Sequence, residues 1–205
     1  MTPASIIVQQ PEGPISQLVL LMHGVGSVPQ SMLGIARWFA SRDGSAMVVS
    51  VASPQPSHVP GGLQWFSVMG ITEENRQARV DAAMPAFVAT VQHWQHIAGV
   101  DQKRTTLVGF SQGAIMTLES TKLAEPPAML GVAFAGRFAS LPTGRTGVTI
   151  HLLHGDSDPV MPLAVAHAAQ SCLLASGSDV SLDVAEGVGH EPHPALLRAL
   201  ALRLA

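Results

Sequence analysis

The sequence predicts an α/β protein with a doubly wound, mostly parallel sheet of about seven strands and helices on both faces. Short apolar or β-branched runs alternate along the chain with longer segments of helical periodicity. Hydrophobic residues make up 47% of the sequence and charged residues only 12%, as expected when both faces of a sheet are buried. The 205 residues suffice for a sizeable core, and we expect one domain over residues 1–205.

The first half of the chain contributes three predicted strands and two predicted helices. The strands are expected at 5–9, 17–22 and 47–51, and the helices at 30–41 and 75–97. A Pro/Gly turn at 11–14 follows the first strand and predicts a hairpin at the sheet edge. Pro85 lies inside the second helix and predicts a kink or a break, because proline removes a helical hydrogen bond.

Between these two helices, residues 53–72 form a loop of about twenty residues that is rich in proline and glycine. Loops of this length in compact domains are usually functional or disordered. Trp65, Phe66 and Met69 favour a loop that lines a binding site or covers it as a lid. The alternative is that Trp65 simply packs into the core.

The second half repeats the alternation of strands and helices. Strands are expected at 104–108, 129–135, 148–153 and 180–185, and helices at 114–123, 162–175 and 192–204. No repeat or linker divides the chain. The stretch between Ser111 and Asp158 has room only for two strands and a helix, so no cap domain is expected there.

Composition narrows the classes of partner and compartment. No apolar stretch approaches the roughly 18 to 20 residues that a membrane-spanning helix needs, and the first residues do not resemble a signal peptide. The single cysteine, Cys172, excludes an internal disulfide and favours a cytoplasmic location. A net charge of −3 without basic clusters argues against nucleic acid as a partner.

The pentapeptide GFSQG at 109–113 stands between a predicted strand and a predicted helix. A strand that turns directly into a helix through G-x-S-x-G is the nucleophile elbow, which presents its serine above a strained turn. The following helix N-terminus supplies free N–H groups and positive potential where an oxyanion would form. Ser111 is therefore the candidate nucleophile.

A carboxylate and an imidazole follow Ser111 at the ends of later predicted strands. The order Ser111, Asp158, His190 is that of α/β-hydrolases and differs from the chymotrypsin and subtilisin orders. A serine hydroxyl needs a base in hydrogen-bond reach, and the base needs a carboxylate to orient it. Asp156 shares the turn with Asp158; we favour Asp158, and the other could cap the next helix.

The oxyanion of an acyl-transfer intermediate requires two N–H donors. One is expected from Gln112, directly after the nucleophile, and the other from the His-Gly-Val-Gly loop at 23–26, where Val25 is the candidate. His23 is expected to brace this loop rather than to act as an acid or base.

Two groups of histidines raise the alternative of a metal site, which we do not favour. His93 and His96 lie one helical turn apart, as on a solvated helix face. His151 and His154 lie three apart on a strand and should point to opposite faces, so they would not converge on one ion. No metal and no cofactor are expected.

Four sequence runs, taken together, resemble the phospholipase/carboxylesterase family, which contains small bacterial carboxylesterases and the acyl-protein thioesterases. The runs are LMHGVG at 21–26, GFSQGA at 109–114, HGDSDPVMP at 154–162 and GVGH at 187–190. The segment GLQWFS at 62–67 is similar to the tryptophan–phenylalanine segment that borders the family's acyl site. The resemblance covers nearly the whole chain.

The resemblance implies an α/β-hydrolase with Ser111, Asp158 and His190 as triad and the Val25 and Gln112 amides as oxyanion donors. We also expect a substrate site at five residues: His23, Gly24, Trp65, Phe66 and Met69. Many members have an aspartate where this chain has Ser67 and a glycine where it has Ala114. These departures bear on pocket shape more than on the triad.

We therefore expect a serine carboxylesterase that acts on small to medium acyl esters in a shallow site, as a monomer or homodimer. Alternatives are an acyl-protein thioesterase, a lysophospholipase, a peptidase, a lactonase or a perhydrolase. A further alternative is a non-catalytic binding module, which the intact Ser111, Asp158 and His190 disfavour.

Overall fold

A computed structural model describes residues 4–205 and contains a seven-stranded sheet in the spatial order β1-β3-β2-β6-β7-β8-β9. Six strands are parallel to one another, and β1, at the edge of the sheet, pairs with β3 antiparallel. The sheet strands are β1 Ile6–Gln9, β2 Leu18–Met22, β3 Met47–Val51, β6 Thr105–Phe110, β7 Leu130–Phe134, β8 Thr149–Gly155 and β9 Val180–Ala185. The prediction of a mostly parallel sheet of about seven strands is confirmed.

Helices cover both faces of this sheet. They are α1 Leu33–Ala40, α2 Glu73–Ala98, α3 Gln112–Ser120, α4 Leu163–Ala175 and α5 Pro194–Arg203, with short 3₁₀ turns at Pro29–Met32 and Gln102–Arg104. Alternate residues of β2 serve opposite cores, because side chains along a strand point to alternate faces. Leu18 and Leu20 pack with α2 and α3, whereas Val19 and Leu21 pack with α1 and α5.

The expected hairpin of the first two strands does not form, and this prediction is wrong. β1 pairs with β3, in the register Ile6↔Ser50, and β3 lies between β1 and β2. The reason is burial: every residue of β2 is buried, so β2 needs a partner strand on each side. β1 is only half-buried and suits the edge of the sheet.

Pro85 does not break α2, which runs through it as one helix of 26 residues. Pro85 has no N–H, so the carbonyl of Asp81 has no helical partner. Both residues lie on the exposed side of the helix. Water can therefore bind the freed carbonyl. A capping box at Thr72 and Asn75 begins the helix, and Gly99, with φ +65°, ends it.

The loop 53–72 contains a two-residue ladder between β4 Gln55–Pro56 and β5 Leu63–Gln64. Leu63 also exchanges backbone hydrogen bonds with the loop after β2, since Gly26 N donates to Leu63 O and Leu63 N donates to Ser27 O, both at 2.8 Å. The loop is thus tied to the carboxyl end of the sheet.

No helix or strand lies between β7 and β8, so the carboxyl end of the sheet carries no inserted domain at this point. None of the helices in residues 4–205 has the length and hydropathy needed to cross a bilayer.

Candidate active site

Ser111 occupies a sharp turn between β6 and α3, with φ 52° and ψ −114°. A positive φ is costly for any residue except glycine and is typical of functional sites. The turn is possible because Gly109 and Gly113, two positions before and after Ser111, have no side chain. A Cβ on Gly113 would lie 2.1 Å from Met22 O, and one on Gly109 would lie 2.4 Å from the Ala114 backbone.

Ser111, His190 and Asp158 form one hydrogen-bonded chain. The Ser111 Oγ to His190 Nε2 distance is 2.9 Å, and the His190 Nδ1 to Asp158 Oδ2 distance is 2.7 Å. Three strands position these side chains: β6 before Ser111, β8 before Asp158 and β9 before the loop that carries His190. All three strands are parallel, so their carboxyl ends lie at one edge of the sheet.

Asp158 is buried and ionised. Its side chain is 0% exposed, and its Oδ1 accepts hydrogen bonds from Val160 N and Met161 N, both at 2.8 Å. Burial alone would raise the pKa of this carboxyl. Donation from Met161, His190 and Val160 outweighs burial and lowers the pKa below its usual value.

The ionised carboxylate fixes the tautomer of His190. A carboxylate can only accept, so His190 Nδ1 carries the proton and donates to Asp158. Nε2 is then left as the acceptor for the Ser111 hydroxyl. This arrangement can draw a proton from the serine.

Asp156, the other candidate acid, lies on the outside of the same turn. Its Oδ1 accepts from Gly187 N at 2.8 Å and from Ser157 Oγ at 2.9 Å. It makes no hydrogen bond to His190, and it does not cap α4, whose N-cap residue is Pro162 and which has no side-chain capping hydrogen bond.

The loop after β2 runs beside the nucleophile. A Cβ on Gly24 would lie 3.3 Å from Ser111 Cβ, so only glycine lets the loop approach this closely without displacing its neighbour. Within residues 4–205, the backbone amides of Val25 and Gln112 donate to no other protein atom. Both amides are therefore available to an oxyanion, and this assignment stays a prediction.

His23 is 0% exposed, and its contact with a substrate stays a prediction. Its Nδ1 donates to Gly24 O at 2.8 Å, and its Nε2 accepts from Ser53 N at 3.3 Å. Burial lowers the pKa of His23, although the Gly24 carbonyl acts in the opposite direction. The neutral ring braces the loop, in line with the bracing role that the sequence suggested.

Trp65 is 2% exposed and packs into the core against Phe87, and its contact with a substrate stays a prediction. Its indole Nε1 donates to His23 O at 2.9 Å. Trp65 therefore packs in the core, as the alternative interpretation expected, and its indole hydrogen bond supports the loop after β2.

Two more of the expected substrate residues, Phe66 and Met69, have different surroundings, and contact of the fifth, Gly24, with a substrate stays a prediction. Phe66 is buried and borders a cavity of about 260 Å³ with Arg79 and Ala82 among its neighbours. Met69 is 64% exposed on the same loop. Contact of either side chain with a substrate stays a prediction.

Sequence reasoning missed the side chain of Gln112. Its Oε1 accepts from Trp65 N at 2.8 Å and its Nε2 donates to Phe66 O at 2.7 Å, so it fastens the loop 53–72 to the nucleophile elbow. The sequence indicated a role only for the Gln112 backbone. No local pattern links it to residues more than forty positions earlier.

Phe110 was also missed as a partner of the base. Its ring lies 5.1 Å from the His190 ring, centroid to centroid, at an angle of 41°. Such contacts limit the orientations open to an imidazole on a loop. The only signal in the sequence was its position beside Ser111.

His151 and His154 do not share a ligand. His151 Nδ1 lies 2.7 Å from Ser181 Oγ, whereas His154 Nε2 lies 2.7 Å from Met161 O. Within residues 4–205, no three His, Cys, Asp or Glu side chains are grouped so that they could hold a metal ion. His93 and His96 are exposed on α2.

Comparison with known proteins identifies the family. A family model described as Phospholipase/Carboxylesterase matches residues 3–204. Esterase YpfH of Escherichia coli (strain K12) is 55% identical over 185 residues, which cover 90% of this chain and 80% of that protein. Acyl-protein thioesterase 1 of Saccharomyces cerevisiae is 24% identical, covering 92% of this chain and 91% of that protein.

A solved structure resembles the whole molecule. The crystal structure of esterase PE8 superposes with a TM-score of 0.87 at 26% identity, covering 100% of this chain and 98% of that one. The resemblance of the four sequence runs is confirmed by these findings. The chain belongs to the phospholipase/carboxylesterase family and is an ester hydrolase with the α/β-hydrolase fold.

Proposed function

We propose that the protein hydrolyses carboxylic esters with Ser111 as nucleophile, His190 as general base and acid, and Asp158 as the carboxylate that orients His190. The carrying observation is the continuous chain of hydrogen bonds, 2.9 Å from Ser111 to His190 and 2.7 Å from His190 to Asp158. A nucleophile within hydrogen-bond reach of an oriented base is the arrangement that acyl transfer requires.

In the first half of the reaction, His190 Nε2 removes the Ser111 proton while Oγ attacks the ester carbonyl. The resulting imidazolium is stabilised by the ionised Asp158, which keeps its charge because the N–H groups of Val160 and Met161 hold it. His190 then protonates the leaving alcohol, and the acyl group remains on Ser111.

In the second half, water takes the place of the alcohol. His190 removes a proton from the water, which attacks the acyl-enzyme, and returns the proton to Ser111 Oγ. In both halves the carbonyl oxygen becomes negative. The Val25 and Gln112 amides would bind it, a role supported by the approach of Gly24 to Ser111 and by the free N-terminus of α3.

The substrate class is small to medium acyl esters. Support comes from the segment between β7 and β8, which contains no helix that could wall in a long chain. Exposed apolar side chains near the carboxyl end of the sheet include Val160 and Met69, 61% and 64% exposed. Hydrolysis of p-nitrophenyl esters should fall steeply from acetate to palmitate, and equal rates across the series would contradict a shallow site.

A thioester is the second candidate substrate. The observation that favours it is the likeness to Acyl-protein thioesterase 1 along nearly the whole chain. Esters and thioesters of one acid form tetrahedral intermediates that differ only in the leaving group and give the same acyl-enzyme, so a matched pair of butyryl ester and butyryl thioester decides between them. A higher kcat/KM for the thioester would make it the preferred class.

We also propose a cytoplasmic location and a monomeric or homodimeric state. Support for the location is the single cysteine, which is half-buried and free. Light scattering during size-exclusion chromatography measures the mass in solution against the 21.4 kDa of one chain.

The test of the catalytic assignment is Ser111→Ala combined with labelling by a fluorophosphonate, which reacts with activated serines. Loss of a triad nucleophile lowers kcat by about 10⁶-fold, and the label should disappear. Cys172→Ser is the matched control, because it removes the only thiol and should keep both labelling and hydrolysis.

An unlabelled wild-type protein without esterase activity would favour the non-catalytic binding module. Persistent hydrolysis and labelling in the Ser111→Ala protein would show that another nucleophile acts.

A further inference from the structure

We propose that His154 is a positioning residue that holds Asp158 in place for His190. This inference rests on the proposed function, because it assigns His154 a part in the same reaction without contact to the substrate. The proposed acid–base steps use only the imidazole of His190. They do not explain why the imidazole of His154 is buried beside Asp158.

His154 lies at the carboxyl end of β8, with its side chain 1% exposed. Its Nε2 is 2.7 Å from Met161 O. A carbonyl oxygen can only accept, so Nε2 carries the proton and donates it to this carbonyl. The tautomer of His154 is therefore fixed by the turn that follows Asp158.

The same turn holds the carboxylate. The backbone of Met161 makes two hydrogen bonds. Its carbonyl accepts from His154, and its amide donates to Asp158 Oδ1 at 2.8 Å. Val160 N adds the second donor to Oδ1. His154 thus anchors, through one residue, the pair of N–H groups that orients Asp158.

His154 also faces the carboxylate directly. Its Nε2 lies 3.6 Å from Asp158 Oδ2, the oxygen that receives the His190 proton donor. This distance is too long for a hydrogen bond, but the positive end of the N–H dipole lies beside the negative oxygen. Both side chains are buried, where such an interaction is stronger than in water.

Without this donor, the Met161 carbonyl would lose its hydrogen bond to His154 in a partly buried place, and the turn would no longer be fixed. Asp158 would then present its carboxylate to His190 in several orientations. Misplacement by about 1 Å can lower a rate by roughly 10²-fold, even when the altered residue does not touch the substrate.

The experiment is a double-mutant cycle between His154 and Asp158. His154→Met, which fills the space without a donor, should lower kcat by about 10²-fold and leave KM within about twofold. In an Asp158→Ala background the same change should cost less than about threefold, because residues that act through one another are not additive.

Two further variants separate positioning from packing. His154→Gln places an amide N–H near the position of Nε2 and should restore kcat to within about tenfold of the wild type. His154→Asn, whose amide is too short to reach the Met161 carbonyl, should not. If the Met protein does not fold, the Gln and Asn pair gives the same comparison.

His151 provides the matched control, because it is also a buried histidine of β8 but contacts Ser181. His151→Gln should leave kcat unchanged. Circular dichroism and thermal unfolding monitor the fold of every variant.

Equal losses from His154→Met in the wild-type and Asp158→Ala backgrounds would overturn the inference. So would a Gln variant as impaired as the Met variant. Fluorophosphonate labelling separates this failure from that of the proposed function: a wild-type protein labelled at Ser111 with an additive cycle rejects only the role of His154.

Discussion

Asp156 and Asp158 lie two positions apart on one turn, yet they have opposite surroundings. Asp158 points inward, is buried and receives three N–H donors from Val160, Met161 and His190. Asp156 points outward, is exposed and accepts from Gly187 N and Ser157 Oγ. The two carboxylates are chemically identical, so only their direction separates a triad acid from a loop tether.

The comparison shows how a buried carboxylate is kept charged. Three N–H donors compensate Asp158 for the water that it loses, whereas Asp156 keeps contact with solvent and needs no such compensation. The inward acid can therefore stabilise an imidazolium. Three experiments test this difference, in order of decreasing effect.

The largest effect should come from Asp158→Asn. The two amides of Val160 and Met161 would hold the asparagine oxygen in place of Oδ1 and turn its NH₂ group toward His190 Nδ1. The imidazole would then carry its proton on Nε2 and could not accept from Ser111. In a triad this wrong tautomer lowers kcat by about 10⁴-fold, measurable with a short-chain p-nitrophenyl ester.

Circular dichroism should show an unchanged fold in this variant. If kcat stayed within tenfold of the wild type, Asp158 would not be the orienting carboxylate, and the contrast with Asp156 would have no catalytic meaning.

An intermediate effect is expected on stability in acid. The folded-state pKa of Asp158 lies below the 3.8 of an unperturbed aspartate. As the pH falls, the carboxylate of Asp158 is therefore protonated in the unfolded chain before it is protonated in the folded protein. The stabilisation is fully present above the unfolded-state pKa and is lost as the pH falls through the folded-state pKa. The difference in Tm between wild type and Asp158→Asn should therefore shrink between about pH 5 and about pH 3.

Ser111→Ala serves as the control for this titration, because it removes no group that ionises in acid. Its Tm should follow the wild-type curve. A constant difference between wild type and Asp158→Asn across the range would contradict the lowered pKa.

The smallest effect should come from Asp156→Ala. It removes one exposed acceptor for Gly187 N and leaves the Asp158–His190 contact intact. We expect a loss of about 0.5–1.5 kcal/mol in the free energy of unfolding, measured by urea denaturation, because that is the net value of an ordinary hydrogen bond. The kcat should stay within about threefold of the wild type.

A loss of kcat comparable to that of Asp158→Asn would mean that the Gly187 tether positions His190 as strongly as the buried acid does. The assignment of the two aspartates would then have to be exchanged or shared.

Much of the fold followed from local sequence. β3 and β9 have the predicted bounds, 47–51 and 180–185, because apolar or alternating runs between turn residues define a strand locally. The prediction of an edge hairpin was wrong because strand order depends on which strand needs a partner strand on each side, here the fully buried β2. Of the kink or break expected at Pro85, the break does not occur, and the sequence could not decide this because exposure of the freed carbonyl is not a local property.

The candidate site divides in the same way. Residue type, spacing and chain order indicated Ser111, Asp158 and His190 before any distance was known. The supporting contacts of Gln112, Phe110 and His154 were not predicted, because each joins segments through a side-chain direction. The burial of His23 and Trp65 was likewise not decided by composition.

Local sequence was enough to indicate the alternation of strands and helices, the elbow at Ser111 and the chain order of Ser111, Asp158 and His190. These follow from periodicity and from glycines that only a tight turn requires. The tertiary structure decided which of two neighbouring aspartates turns inward and which side chains brace the site. The physical reason is that burial and hydrogen bonding depend on what packs around a group, and those neighbours come from distant parts of the chain.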